Sequence, residues 1–256
     1  MQNNIPISRE VQEMLSSINT VIKNLGIDFY LVGAVARDCH LSRLPGWQPS
    51  RKTLDVDLAV LVASEEQYIQ LKESLLKTKL FTEHRTEPIK LFYRNEVELD
   101  LLPFGGIEEN GVTILTKPNF MSLEMPGFEL LNQYKNLFEV NEQLKLDICS
   151  LEGIVLLKLI AWDDRPERTK DLFDIKHIIH YYFELTSDDI YNEHFDLMKL
   201  YPTHESDYIQ KVSAHVIGRK IANYLIEDKK LKQRIIQILH KREDDWWPFI
   251  LLGLSK

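Results

Sequence analysis

The sequence predicts an α+β protein: a mixed β-sheet head with flanking helices over residues 1–149, then a helical region over 150–256. Three observations predict it. IDFYLVGAVARDCHL (27–41) passes from a short apolar run through Gly33 into a helical pattern. LDVDLAVLV (54–62) and PIKLFYRNEVELDLLPF (88–104) read as strands, rich in β-branched and aromatic residues or alternating in polarity. From Ser150 onward the pattern changes, and every stretch reads as helix.

In chain order, Val11, Leu15, Ile18, Ile22 and Leu25 recur at helical spacing, and Gly26 follows where such a helix stops. A strand at 29–32 leads through Gly33 to a helix from Ala34, and residues 54–62 form the next strand. Ser64 caps a helix with Glu65 and Glu66 in its first turn, where the helix dipole favours acids. Two strands then join at Arg94-Asn95, since Asn tolerates the left-handed conformation of tight turns. GGIEENG is read as a loop, VTIL as a strand, and KPNFMSLEMPGFELL as irregular or opening a short helix. LFEV and KLDICS form a second hairpin. Ser150 caps a helix over SLEGIVLLKLIAWDD, and further helices cover 170–183, 187–198, 205–227 and 228–242.

The 256 residues carry a net charge of −8, which argues against non-specific nucleic-acid binding by the whole surface. The dense basic stretch EDKKLKQRIIQILHKRED reads as a solvated helix face with Leu231, Ile235, Ile236 and Leu239 inside. Cys39 and Cys149 stand far apart, outside any CxxC spacing, and read as small buried residues in a reducing compartment. No apolar run approaches the roughly 18–20 residues of a membrane helix, and no secretory leader is evident, so a cytoplasmic location without membrane contact is expected.

Asp55 and Asp57 pose the chemical question. Side chains two apart on a strand share a face, so these carboxylates stand together and repel. Asp100, alternating with apolar residues in VELDLLPF, joins them if its strand lies alongside. Three crowded carboxylates call for a cation, and hard oxygen ligands select Mg²⁺, which in turn recruits phosphates. Gly33 and Ala34, at a helix start, let backbone N–H groups approach an anion. A salt-bridged strand residue explains either Asp55 or Asp57 alone; it does not explain the set.

LVGAVARD, TLDVDLAV and VELDLLPF, in that order, resemble the polymerase-β-type nucleotidyltransferases. The first block is similar to the VGGxVRD of CCA-adding enzymes and bacterial poly(A) polymerases. LEGIVLLKLIAWDDRPERTKDLFDI and the R-x-T-x-D-x-D of RKTLDVDL resemble the abortive-infection (AbiEii-like) nucleotidyltransferase toxins. The resemblance spans about residues 28–180 and implies a nucleotidyltransferase-type head. It assigns Asp55, Asp57 and Asp100 as metal-binding and catalytic carboxylates, with two Mg²⁺ ions when an NTP is bound. It places Gly33, Ala34, Arg37, Arg51, Thr53, Lys158 and Arg165 around the nucleotide. Asp171 and Asp174 then orient basic groups such as Arg165 or Arg168, and His177 and His180 are structural. Gly33-Ala34 departs from the Gly-Ser of many members, removing a hydroxyl from the phosphate site. The implied acceptor is a tRNA 3′ end or a protein hydroxyl, with an antitoxin as a further partner. A small cationic acceptor of the aminoglycoside kind, or an inactive nucleotide-binding module, are the alternatives.

Overall fold

The computed structural model describes residues 7–48, 55–243 and 245–255. Arg51 and Thr53 lie outside the described residues. Strands are β1 (Asp28–Val32), β2 (Asp55–Leu61), β3 (Phe81–Glu83), β4 (Lys90–Tyr93), β5 (Val97–Phe104), β6 (Glu108–Glu109), β7 (Val112–Leu115), β8 (Met121–Glu124), β9 (Asn136–Glu139) and β10 (Lys145–Ile148). Helices are α1 (Arg9–Leu25), α2 (Gly33–Leu41), α3 (Glu65–Lys77), α4 (Phe128–Leu131), α5 (Leu151–Asp164), α6 (Thr169–Glu193), α7 (Tyr208–Tyr224), α8 (Lys229–Leu239) and α9 (Trp247–Leu254). The chain divides into two compact units, one reaching to Ser42 and running from Trp47 to Cys149, the other made of Arg43–Gly46 and the chain from Ser150 onward.

The first unit is built on a seven-stranded mixed sheet in the order β3-β4-β5-β2-β1-β10-β9. β2/β5 and β1/β10 pair in parallel, and the remaining neighbours are antiparallel. Alternation fixes which face is dry. Val56, Leu58 and Val60 of β2 and Leu99 and Leu101 of β5 are fully buried, while Asp55, Asp57, Glu98 and Asp100 take the intervening positions. Burying each such aliphatic side chain contributes about 1.5–3 kcal/mol, so a one-residue register slip would forfeit the whole row. α1 begins where the Ser8 side chain accepts from Val11 N–H, and it ends at Gly26, whose φ of +64° closes the helix in the left-handed region. β6-β7-β8 form a separate small sheet.

Two expectations for this region need correction. GGIEENG contains β6, and KPNFMSLEMPGFELL contains β8 before α4 begins at Phe128. Both strands are short and pair only with β7; neither carries enough alternation to be recognised alone.

The second unit is helical. Ser150 caps α5 by accepting from Gly153 N–H. α6 is two helical segments joined at a kink, Thr186 with φ −129° and ψ 22°, which falls in the break expected between 183 and 187; the second segment ends at Glu193, short of the expected 198. Thr186 Oγ1 donates to Tyr182 O in the preceding turn, at the bend. α7 and α9 pack backbone to backbone. A Cβ on Gly218 would lie 2.2 Å from Ile250 O, and one on Gly253 would lie 2.3 Å from His215 O. Trp247 is buried, stacked on Trp246 and edge-on to Trp162. In α8 the buried set is Leu231, Ile235, Ile238 and Leu239, with Ile238 in the place expected for Ile236.

Candidate active site

β2 sits at the centre of the site because it is flanked by β1 and β5. In register, Val32 stands opposite Asp57 on one side and Asp100 stands opposite Asp57 on the other. Asp55 pairs in the same way with Glu98. Directly opposite residues share a face, so Asp55, Asp57, Glu98 and Asp100 form one acidic patch. β4 extends it, setting Lys90 opposite Asp100 and Phe92 opposite Glu98.

Gly33 closes the patch from the β1 side. Its φ is +67°, and a Cβ there would lie 2.2 Å from Asp57 Oδ2. The glycine is therefore required twice, by backbone conformation and by the carboxylate lodged against it. Ala34 follows in the first turn of α2. Arg37 does not reach this face as an open cation. It is buried, and its Nε and Nη2 donate to Asp38 Oδ1 at 2.8 and 2.6 Å. The pair joins two adjacent residues of α2.

Lys90 serves two carboxylates unequally. Its Nζ donates to Glu98 Oε2 at 2.8 Å and lies 3.0 Å from Asp100 Oδ1. The second approach is an ion pair without hydrogen-bond alignment, so Asp100 Oδ1 is buried with no hydrogen-bond partner. Burial is the largest influence on Asp100 and pushes its carboxyl above the ordinary value; Lys90 pulls it down, and Glu87 and Glu98 push it up. Burial works against the charge of Lys90 as well, yet Glu98 and Asp100 together hold its ammonium above the usual lysine value.

The donor set fits a hard divalent cation. Asp57 and Asp100 are adjacent, Asp55 is on the same face, one buried carboxylate oxygen lacks a hydrogen bond, and the missing Cβ of Gly33 leaves room for Asp57 Oδ2.

Lys158 and Arg165 belong to the helical unit. Lys158 Nζ lies 3.2 Å from Asp171 Oδ1 and 2.6 Å from Asp174 Oδ2, all three side chains being close to fully buried. Asp171 and Asp174 thus hold Lys158, and Arg168 reaches Asp171 at 3.4 Å. Arg165, expected among their partners, is exposed at the end of α5 and pairs with no carboxylate among the described residues. His177 stacks on Phe173 and meets Tyr181 edge-on. A second acidic group lies in this unit, where Asp189, Glu193 and His194 each offer a ligand atom within 4.8 Å of the others. Lys220 Nζ already lies 2.5 Å from Asp189 Oδ2, so this group carries its own cation.

In the basic stretch of the C-terminal helices Lys229 and Lys230 are exposed, and two other cations are paired. Arg234 pairs with Asp164 at 2.5 Å, and Lys241 pairs with Asp163. The sequence alone assigns no role to Lys90 or Glu98, although both belong to the patch. A hairpin register centred on Asn95 reveals them.

No family model matches the chain, and no curated protein matches it. Solved structures similar to it include the following. The antibiotic-resistance factor ANT(2'')-Ia shares 15% identity over 84% of this chain and 96% of its own, with a TM-score of 0.41. An antigenic nucleotidyltransferase-like protein from Paracoccidioides brasiliensis shares 18% identity over 90% and 94%, at 0.44. A CCA-adding enzyme in its apo form shares 15% identity over 96% and 68%, at 0.34. The chemistry of this chain rests on its own residues.

Proposed function

We propose that the protein is an NTP-dependent nucleotidyltransferase that moves NMP to an acceptor hydroxyl. The observation that carries this reading is the register that sets Asp57 beside Asp100, with Gly33 at a helix start on the other flank. Asp55, Asp57 and Asp100 would hold Mg²⁺, which when bound neutralises triphosphate charge and makes the acceptor hydroxyl more acidic. The N–H groups at the start of α2, at Gly33 and Ala34, favour a phosphate. Asp100, beside the acceptor, takes the hydroxyl proton. The acceptor oxygen bonds to the α-phosphorus as the bond to the bridging oxygen breaks, and pyrophosphate leaves.

The resemblance to toxin-like enzymes supports an RNA 3′ end, tRNA above all, or a protein hydroxyl as acceptor, and an antitoxin as partner. Its assignment of Arg37, Arg51, Thr53, Lys158 and Arg165 to the nucleotide belongs to the same proposal. A second reading draws on the acidic patch itself. Asp55 is exposed and Glu98 is partly exposed beyond the ion-ligand pair, a surface suited to a small cationic acceptor of the aminoglycoside kind. The test is incubation with α-labelled NTPs, Mg²⁺ and, in separate reactions, tRNA, cell lysate and an aminoglycoside. Label should appear in one acceptor, and Asp57→Asn should lower its rate on the order of 10³-fold or more. Equal labelling by Asp57→Asn and wild type would overturn the mechanism. NTP binding without transfer to any acceptor would favour an inactive binding module.

A further inference from the structure

We infer that Lys90 is a tethered counter-cation of the candidate site, a positioning residue that holds Asp100 in the ion-free protein and transfers to Glu98 when a divalent ion takes Asp100. This rests on the reading of Asp57 and Asp100 as ion ligands.

The placement is set by the hairpin. β4 runs antiparallel to β5, so Lys90 lies across from Asp100, and Glu98 stands two residues earlier on the same face. The Lys90 side chain is only 14% exposed, and its ammonium sits between the two acids at 3.0 Å from Asp100 and 2.8 Å from Glu98. The ammonium is shared: an aligned hydrogen bond goes to Glu98, and Asp100 Oδ1 is met less squarely, in an ion pair at 3.0 Å.

That asymmetry is what an exchangeable cation requires. A divalent ion on Asp100 would lie close to the Lys90 ammonium, and at partial burial their repulsion is weakly screened. That repulsion drives Lys90 away from Asp100 when an ion binds. Its destination is already made, because the Glu98 hydrogen bond is in place and the Glu98 side chain is 45% exposed, open to solvent that stabilises the displaced pair. The flexible four-carbon stem permits the small shift. Without Lys90, the ion-free patch would hold Asp100 buried beside Asp57 with no cation from β4. Without Glu98, Lys90 would have Asp100 alone as its partner and would compete harder against the ion.

The two partners of the lysine thus predict opposite effects, which a direct binding measurement can read. Mn²⁺ is titrated into the full chain and followed by electron paramagnetic resonance and by calorimetry, without nucleotide. Lys90→Met is expected to bind Mn²⁺ about tenfold more tightly than wild type, and Glu98→Gln several-fold more weakly, at coupling strengths for a partly buried charge pair. In the double variant the Glu98→Gln effect should vanish, because no lysine remains to be parked. Unchanged or weaker binding by Lys90→Met would overturn the inference. If that variant does not fold, Glu98→Gln decides alone, and unchanged or tighter binding overturns it. Asp57→Asn separates the two levels. If it abolishes Mn²⁺ binding while Lys90→Met and Glu98→Gln change nothing, the ion-ligand reading stands and the role of Lys90 falls. If it binds Mn²⁺ like wild type, both fall.

Discussion

In the helical unit, Lys158 stands between two buried aspartates, and a third buried acid, Glu152, accepts from Tyr182 and Tyr224 with Lys220 at 3.5 Å. In the head, four carboxylates share one sheet face, with the Lys90 ammonium between Glu98 and Asp100; buried carboxylate oxygens without a hydrogen bond occur in both units, Asp100 Oδ1 in the head and Asp171 Oδ2 and Asp189 Oδ2 in the helical unit. The helical unit satisfies its buried charge internally: burial works against the Lys220 ammonium, but Glu152 and Asp189 keep it above the ordinary lysine value. In the proposed reading a bound ion completes the charge of the head, so that buried ionic groups specify a packing in one unit and a ligand in the other.

The largest expected effect comes from breaking the internally satisfied set. Lys158→Met leaves Asp171 and Asp174 buried without their shared ammonium and should lower stability by about 3–5 kcal/mol, read as a shift in the urea midpoint at unchanged m. Asp57→Asn, by contrast, removes a charge from a crowded face and should leave the midpoint unchanged or raised, while abolishing Mn²⁺ binding. If Asp57→Asn destabilised as much as Lys158→Met, the distinction between the two regions would collapse.

Next in size is the helix crossing that frames the same unit. Gly218→Ala puts a methyl 2.2 Å from Ile250 O, a backbone atom that cannot step aside as a side-chain tip can. The cost should reach about 3 kcal/mol, and Gly253→Ala should match it from the other side. Both changes should leave Mn²⁺ binding by the head unaltered when measured below the unfolding transition. Loss of binding with each would show that the head does not keep its site independently of the α7/α9 packing.

Legibility in the sequence follows the range of the signal. The Ser64 and Ser150 caps, the Gly26 stop and the carboxylate alternation are local, each written within a few neighbouring residues. β6 and β8 escape a reading of that kind because two- and four-residue strands exist only by pairing with β7. The Lys90 position escapes it by a single residue. A two-residue turn at Arg94-Asn95 would set Lys90 opposite Leu99, on the dry face. The observed turn includes Glu96, pairs Tyr93 with Val97, and so sets Lys90 opposite Asp100. Arg94 and Asn95 both take positive φ, as the turn reading requires of Asn95, but φ alone does not count loop residues. The Arg37–Asp38 pair escapes it for a different reason: the motif position suggests phosphate, and only the side-chain geometry shows the adjacent carboxylate engaged.

The smallest effect tests whether the helical unit's polar network is also closed to protons. His194 is buried at the end of α6, its Nε2 without a hydrogen bond. Burial, the largest influence, lowers its affinity for a proton, and Lys220 and Arg219 add to this, while Asp189 and Glu193 oppose it. The net shift is downward from the ordinary histidine value. The folded protein therefore binds this proton less readily than the unfolded chain, so the neutral ring's contribution is present above the unfolded value of about 6.5 and is lost as pH falls toward the depressed folded value. Wild-type Tm should decline between pH 7 and pH 5, and His194→Gln should decline less over the same window, because its side chain cannot take up a proton in the unfolded state. Parallel declines in the two proteins would assign the acid sensitivity to other groups, and would leave His194 as a packing residue beside Asp189 and Lys220.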